Sequence, residues 1–177
     1  MASESPRTSP EARFRVQAPN STPRSTSVIA LDEAGEAVVR RVSSAAWRNA
    51  TFSSAAGAGV GNIETGISPG PAQPGVHNGF ELRDLKGTPI ELREAIETAD
   101  LVVMIAGPGG HAHAARTIGQ ACSGQALMTT ALVLDADTAE KSALSLTLAQ
   151  LRPWALMVVV AKGDGYVDDI LGVLCRD

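Results

Sequence analysis

The chain has 177 residues, a formal net charge of −4, 44% hydrophobic residues and only 3% aromatic residues. Its length is sufficient for one domain with its own core, and its negative charge excludes a dedicated nucleic-acid-binding domain, which is normally basic. Cys122 and Cys175 are too few for a disulfide framework, and we find neither a bilayer-length apolar run nor a signal-peptide core. These features predict a cytoplasmic protein whose core is built from Val, Leu, Ile and Ala.

Residues 1–27 form a tail that is rich in Ser, Pro and Arg, with four arginines against two glutamates. This composition predicts disorder, because the tail cannot bury enough apolar surface to offset its loss of entropy. The functional alternative is a basic arm that contacts a partner. Residues 28–177 are predicted to form a single α/β domain.

The first unit of that domain is a short strand over Ser27–Leu31, followed by a helix over Glu33–Trp47 and a second strand over Thr51–Ser54. The apolar positions that this helix turns toward the core are Val38, Val39, Val42, Ala45 and Ala46. The turn from Asp32 to Gly35 carries two acids, which disfavour a phosphate there.

A long loop follows over Gly57–Gly79, with seven glycines and three prolines in 23 residues. Loops of this length are usually functional or disordered, so both a mobile cover and a plain connection remain open. Gly57, Gly59 and Gly61 do not form a dinucleotide fingerprint, because no helix is predicted to follow them.

The second half alternates strands with helices. Phe80–Leu85 predicts a strand near a sheet edge, and Thr88-Pro89-Ile90-Glu91 has the capping-box pattern of a helix start. After the central strand, the pattern predicts a helix to Cys122 and a strand over Leu127–Leu134. Asp137 and Glu140 begin the next helix, which places Leu144, Leu148 and Leu151 on one face and ends at Pro153. A buried strand over Leu156–Ala161 follows, and Asp164 caps a last helix whose inward residues are Tyr166, Ile170, Val173 and Leu174.

The stretch from Leu101 to His113 organises the predicted fold. Leu101–Ala106 is a continuous apolar run, which predicts a strand buried on both faces at the centre of a parallel sheet. A glycine-rich turn follows before the next helix, and such a turn aims backbone N–H groups at an anion above the sheet edge. The alternating elements predict a three-layer, Rossmann-like α/β fold with helices on both faces of the sheet. Ligands bind at the carboxyl ends of the strands in such folds.

A family resemblance accompanies this order of elements. Ala99-Asp100, Ala106-Gly107 and Gly109-Gly110 match motifs of the GTP-binding domain of the tubulin/FtsZ family, and Lys162-Gly163-Asp164 lies where that family has an Asn-Asp turn. The chain resembles that domain from Val28 to Leu171. The resemblance implies a tubulin-like fold that binds GTP or another nucleotide at the Gly107 turn.

The departures of the chain from the family's pattern predict that the protein does not hydrolyse GTP on its own. Asp32–Glu36 replaces the family's glycine-rich first loop, and His111–Ala114 replaces the alternating glycines and threonines of its signature loop. The family's second domain, which completes hydrolysis, has no counterpart before Asp177.

The predicted cofactor-binding residues are Gly35, Gly107, Gly109, Gly110, His111 and Asp164. We predict an FtsZ-like nucleotide- or anion-binding protein that regulates or assembles without hydrolysis, and no pattern identifies a catalytic residue. One alternative is a protein-interaction module without a small ligand, whose partner is another protein or a further copy of the chain. The other is a small metal-assisted enzyme that uses His111 and His113, with further candidate ligands at His77, Asp135, Asp137 and Asp164.

Overall fold

The computed structural model describes residues 24–57, 80–135 and 137–175, with the side chains of residues 164 and 175 left out of the description. The strands are β1 (Thr26–Ala30), β2 (Ala50–Ser54), β3 (Glu81–Asp84), β4 (Pro89–Glu91), β5 (Leu101–Ala106), β6 (Met128–Val133) and β7 (Met157–Val160). The helices are α1 (Glu33–Ser43), α2 (Leu92–Glu97), α3 (Ala114–Gly124), α4 (Lys141–Leu151) and α5 (Asp164–Cys175).

The seven strands form one sheet in the order β4-β3-β2-β1-β5-β6-β7. The five strands from β2 to β7 in this order run parallel, and β3 and β4 add an antiparallel hairpin at one end. The order reverses between β1 and β5, which makes this the switch point of a doubly wound sheet. The predicted three-layer α/β fold is confirmed.

The core consists of two apolar layers, one on each face of the sheet. Helices α2, α3 and α4 cover the face of Val102 and Met104, and helices α1 and α5 cover the face of Val103 and Ile105. All six residues of β5 are buried. The continuous apolar run therefore marks the central strand, as predicted.

The predicted helix start at Thr88–Glu91 is wrong, because Pro89–Glu91 form strand β4, which pairs with β3 in a hairpin, and the helix begins only at Leu92. The Asp84 carboxylate accepts hydrogen bonds from the backbone N–H groups of Lys86 at 2.8 Å and Thr88 at 2.7 Å. Gly87 supplies the positive φ of +90° that the turn needs. A strong local turn thus takes precedence over the capping-box pattern.

Two predicted boundaries also differ from the structure. β1 begins at Thr26, inside the segment predicted as tail, and both Thr26 and Ser27 are buried. Helix α1 ends at Ser43 instead of Trp47. The hydroxyls of Ser43 and Ser44 bond back to carbonyl groups of the last turn, which favours its termination, and the predicted core positions Ala45 and Ala46 are exposed.

The last strand and helix are less buried than predicted. β7 lies at the end of the sheet and its burial is partial. In α5 the residues turned into the core are Val167 and Leu171, whereas Tyr166 and Val173 are exposed. The prediction that Tyr166 and Val173 face inward is therefore wrong. The loop predicted over Gly57–Gly79 lies outside the described residues except at its first position.

Candidate functional site

The switch point between β1 and β5 is closed by one carboxylate of the chain itself. Asp32 caps helix α1, and its Oδ1 accepts a hydrogen bond from the Gly35 N–H at 2.8 Å. The same carboxylate accepts the Gly107 N–H, at 2.9 Å to Oδ2 and 3.1 Å to Oδ1. A carboxylate thus lies at a helix N-terminus beside a glycine turn, which is where an anionic ligand binds in such folds.

The rest of the glycine turn is bonded to helix α4. The Thr147 hydroxyl oxygen accepts the N–H groups of Gly109 at 3.1 Å and Gly110 at 2.9 Å, and it donates to the Gly107 carbonyl oxygen at 3.2 Å. The Gln150 side chain accepts the Ala112 N–H at 2.8 Å and donates to the Gly110 carbonyl oxygen at 2.7 Å. Four amides of the turn therefore already have acceptors within the protein.

The glycines have structural reasons for their positions. A Cβ on Gly35 would collide with the carbonyl oxygen of Ile105, because the first turn of α1 lies directly against the end of β5. A Cβ on Gly107 would lie 2.7 Å from the Cβ of Ala34. Gly109 and Gly110 have φ values of +131° and +78°, which favour glycine. Close packing and turn geometry thus account for the predicted glycine motif without a ligand.

The two histidines of the turn lie in solvent. The His111 and His113 side chains are exposed, and Nδ1 of His113 lies 3.4 Å from Nε2 of Gln150. Among the residues that the structure describes, no group of three His, Cys, Asp or Glu side chains could hold a metal ion. His77 and the Asp164 side chain lie outside that description, although Asp164 does begin helix α5.

Acidic and basic groups lie together near the ends of β1 and β2. The Glu36 carboxylate accepts hydrogen bonds from the Ser54 hydroxyl and the Arg40 guanidinium, both at 2.6 Å. These bonds hold the pKa of Glu36 below its ordinary value. Because Arg40 pairs with Glu36, the negative charge at this edge of the sheet comes from Asp32 and Glu33, and it disfavours an anionic ligand.

The buried thiol of Cys122 does not add a reactive group. Burial raises the pKa of Cys122 to about 11, so the thiol stays protonated at neutral pH and is a poor nucleophile.

A second surface, which the sequence pattern predicted to be part of the core, lies at the β7 edge of the sheet, with β6 between it and β5. We call it the β7 edge surface, and it consists of strand β7 with Leu156 before it and the exposed side of α5. In the described part of the chain, β7 pairs with β6 alone. The exposed apolar side chains of this surface are Leu156 (79% exposed), Met157 (47%), Val160 (39%), Tyr166 (48%) and Val173 (81%).

The two exposed α5 side chains lie on the side of the helix that faces away from α1. Asp168 pairs with Arg41 of α1 at 2.7 Å, so Asp168 marks the side of α5 that faces α1. At about 100° per residue, Tyr166 and Val173 lie roughly opposite Asp168 on the helix. One signal in the sequence points to this surface, because the apolar residues of α5 spread around more of the helix than one packed layer covers.

Comparison of the chain with models of protein families and with curated proteins finds no match. No helix of the described segments is long and apolar enough to cross a membrane. The resemblance to the tubulin/FtsZ family therefore rests on its short motifs and stays a prediction.

Proposed function

We propose that the protein is a protein-interaction module that binds an extended strand of a partner at the β7 edge surface. The observation that carries this proposal is the exposed, uncharged β7 strand, which has no second pairing partner within the described segments. An exposed apolar edge is a template for strand addition, and proteins normally block such edges with charges, proline or a covering element. An edge left unblocked indicates a surface for contact with another chain.

Nucleotide binding at the Gly107 turn has weaker support. An anion there would have to displace the Asp32 carboxylate from two N–H groups and the Thr147 hydroxyl from two more. Each displaced group would need a new partner, since leaving a buried polar group unpaired costs about 1–3 kcal/mol. The FtsZ-like nucleotide-binding function is therefore a second proposal, and the metal-assisted enzyme has no supporting cluster among the described side chains.

A thermal-shift experiment separates the interaction function from nucleotide binding. We expect neither GTP nor phosphate to raise the Tm of the wild-type protein, compared with chloride at equal ionic strength. In Asp32→Ala the Gly35 and Gly107 N–H groups lose their acceptor, so phosphate should stabilise this variant selectively. A GTP-specific rise in the wild-type Tm would favour the nucleotide-binding proposal.

Co-purification tests the interaction function itself. Tagged wild-type protein, Val160→Pro and Leu146→Lys would be isolated from cells under native conditions, and the recovered chains would be quantified. Leu146 is a matched control, because it is also an exposed apolar residue but lies on α4, next to Gly110. We expect one partner to be lost with Val160→Pro and retained with Leu146→Lys. The cells would also express an untagged copy of the chain, so that a second copy counts as a partner, and identical recovery of every chain with all three variants would contradict the proposal.

A further inference from the structure

We propose that the strand bound at the β7 edge is β7 of a second copy of this chain, paired antiparallel about a twofold axis. This inference rests on the interaction function proposed above and names its partner. Three properties of the β7 edge support it: its backbone register, its distribution of charge, and its contrast with the opposite edge of the sheet.

The backbone register allows the strand to pair with itself. The Ala161 N–H donates to the Val133 carbonyl oxygen of β6 at 2.8 Å. Because successive amides of a strand point to opposite sides, the N–H groups of Val160 and Val158 point away from β6. A twofold axis through Val159 places Val158 opposite Val160 of the second copy. This register forms about four main-chain hydrogen bonds.

The charges around β7 favour an identical partner. No charged residue occurs between Pro153 and Ala161, and the nearest charges are Arg152 and Lys162, one at each end. In the antiparallel register Lys162 lies opposite Leu156 of the second copy, so like charges do not meet across the interface. A charged foreign strand would find no complementary group on β7, whereas an identical strand needs none.

Helix α5 would extend the contact beyond the strand. A twofold axis perpendicular to the sheet keeps both α5 helices on the same face of the joined sheet. In this arrangement Tyr166 and Val173, on the side of α5 away from α1, turn toward the axis from both copies. Burial of these exposed apolar side chains adds a hydrophobic contribution to the main-chain pairing.

The opposite edge of the sheet explains why association would stop at a dimer. β4 consists of Pro89, Ile90 and Glu91, and both end residues are exposed. Proline cannot donate to a ladder, and the carboxylate disfavours an apolar neighbour. The β4 edge is therefore a poor partner for β7, and of the two sheet edges in the described part of the chain, β7 is the one that favours pairing with a second β7.

Sedimentation velocity of the purified full chain over a wide concentration range tests this inference. We expect a reversible dimer of the wild-type protein. Val160→Pro removes an outward N–H from each copy without breaking the β6 ladder, and we expect the dimer Kd to rise at least about tenfold. Met157→Lys, which adds a charge at the exposed edge, should have a similar effect, and Leu146→Lys should leave the Kd unchanged. Circular dichroism checks that each variant is folded. If Val160→Pro is unfolded, Met157→Lys alone tests the inference.

The outcomes separate this inference from the interaction function. If the wild-type protein is a monomer and Val160→Pro loses a different co-purifying protein, the second copy is the wrong partner and the interaction function is retained. A wild-type monomer whose co-purification is the same for all variants overturns both. A monomer whose Val158 and Val160 amides are protected from hydrogen exchange also overturns both, because a segment of the same chain then covers the edge. A dimer that tolerates both Val160→Pro and Met157→Lys uses another surface, which overturns the inference.

Discussion

The switch point and the β7 edge belong to the same parallel sheet and are separated only by β6, but they differ in whether their backbone polar groups have hydrogen-bond partners. At the switch point, the Asp32 carboxylate and the Thr147 hydroxyl accept the N–H groups of the glycine turn. At the β7 edge, outward N–H and C=O groups of the strand have no partner within the described segments. The glycine turn has the sequence pattern of a ligand site, but its amides are already hydrogen-bonded within the protein. The β7 segment has the sequence pattern of a core strand, but it lies at the edge of the sheet and is partly exposed.

This difference shows that a glycine-rich turn is not by itself evidence of an anion site. The turn amides are available to a ligand only if other elements leave them free, and here α4 supplies their acceptors from about 40 positions along the chain. Matching each backbone group to its hydrogen-bond partner also identifies the β7 edge surface, because unpaired backbone groups at a sheet edge need a partner or water. Perturbing each region should therefore change a different property, stability at the switch point and association at the edge.

Gly35→Ala should have the largest effect on stability. The added Cβ would collide with the Ile105 carbonyl oxygen at the end of the central strand, and we expect a loss of about 3 kcal/mol in the free energy of unfolding. Urea denaturation measures it. Gly165→Ala is the matched control, because a Cβ there meets nothing within 4 Å. A Gly35→Ala protein as stable as wild type would show that α1 does not pack tightly against β5.

Thr147→Val should have the next largest effect. Valine keeps the shape of this fully buried side chain but removes the acceptor of the Gly109 and Gly110 N–H groups. We expect a loss of about 2 kcal/mol, since the two N–H groups lose their shared partner. The same denaturation assay measures it, with exposed Ser145→Ala on the same helix as the control. A loss no greater than that of Ser145→Ala would mean that water readily replaces the hydroxyl and that the turn is open to ligands.

How far the sequence predicts this molecule depends on the range of the interaction involved. The continuous apolar run of β5 and the alternation of strands with helices are local patterns, and both predict the observed fold. The Asp32–Gly107 contact joins residues 75 positions apart, so no local pattern indicates it. The burial of β7 depends on the strand order, because the same apolar segment would be buried at the centre of the sheet and is half-exposed at its end.

Glu36→Gln should reveal a smaller, pH-dependent contribution of the Glu36 carboxylate to stability. The Ser54 and Arg40 hydrogen bonds lower the pKa of Glu36 in the folded state, so its carboxylate stabilises the fold above the pKa of the unfolded chain. This contribution is lost as the pH falls through the lower, folded pKa. We expect the variant to be less stable by about 1 kcal/mol at neutral pH, with the difference vanishing in acid. Unfolding curves from pH 7 to pH 3 measure this, and a difference independent of pH would contradict the ionic role.

Leu156→Lys should have the smallest effect on the stability of the isolated chain and a clear effect on its association. Leu156 is 79% exposed, so its replacement should change the free energy of unfolding by less than about 0.5 kcal/mol at dilute concentration, where any dimer is dissociated. In the proposed dimer the new lysine lies opposite Lys162 of the second copy, and like charges across paired strands are destabilising. We therefore expect a weaker dimer that partly recovers at high salt, because salt screens exposed charges. Leu156→Gln, which removes the apolar side chain without adding a charge, is the control and should show no such salt dependence. If the two variants respond to salt identically, the register that places residue 156 opposite Lys162 is wrong.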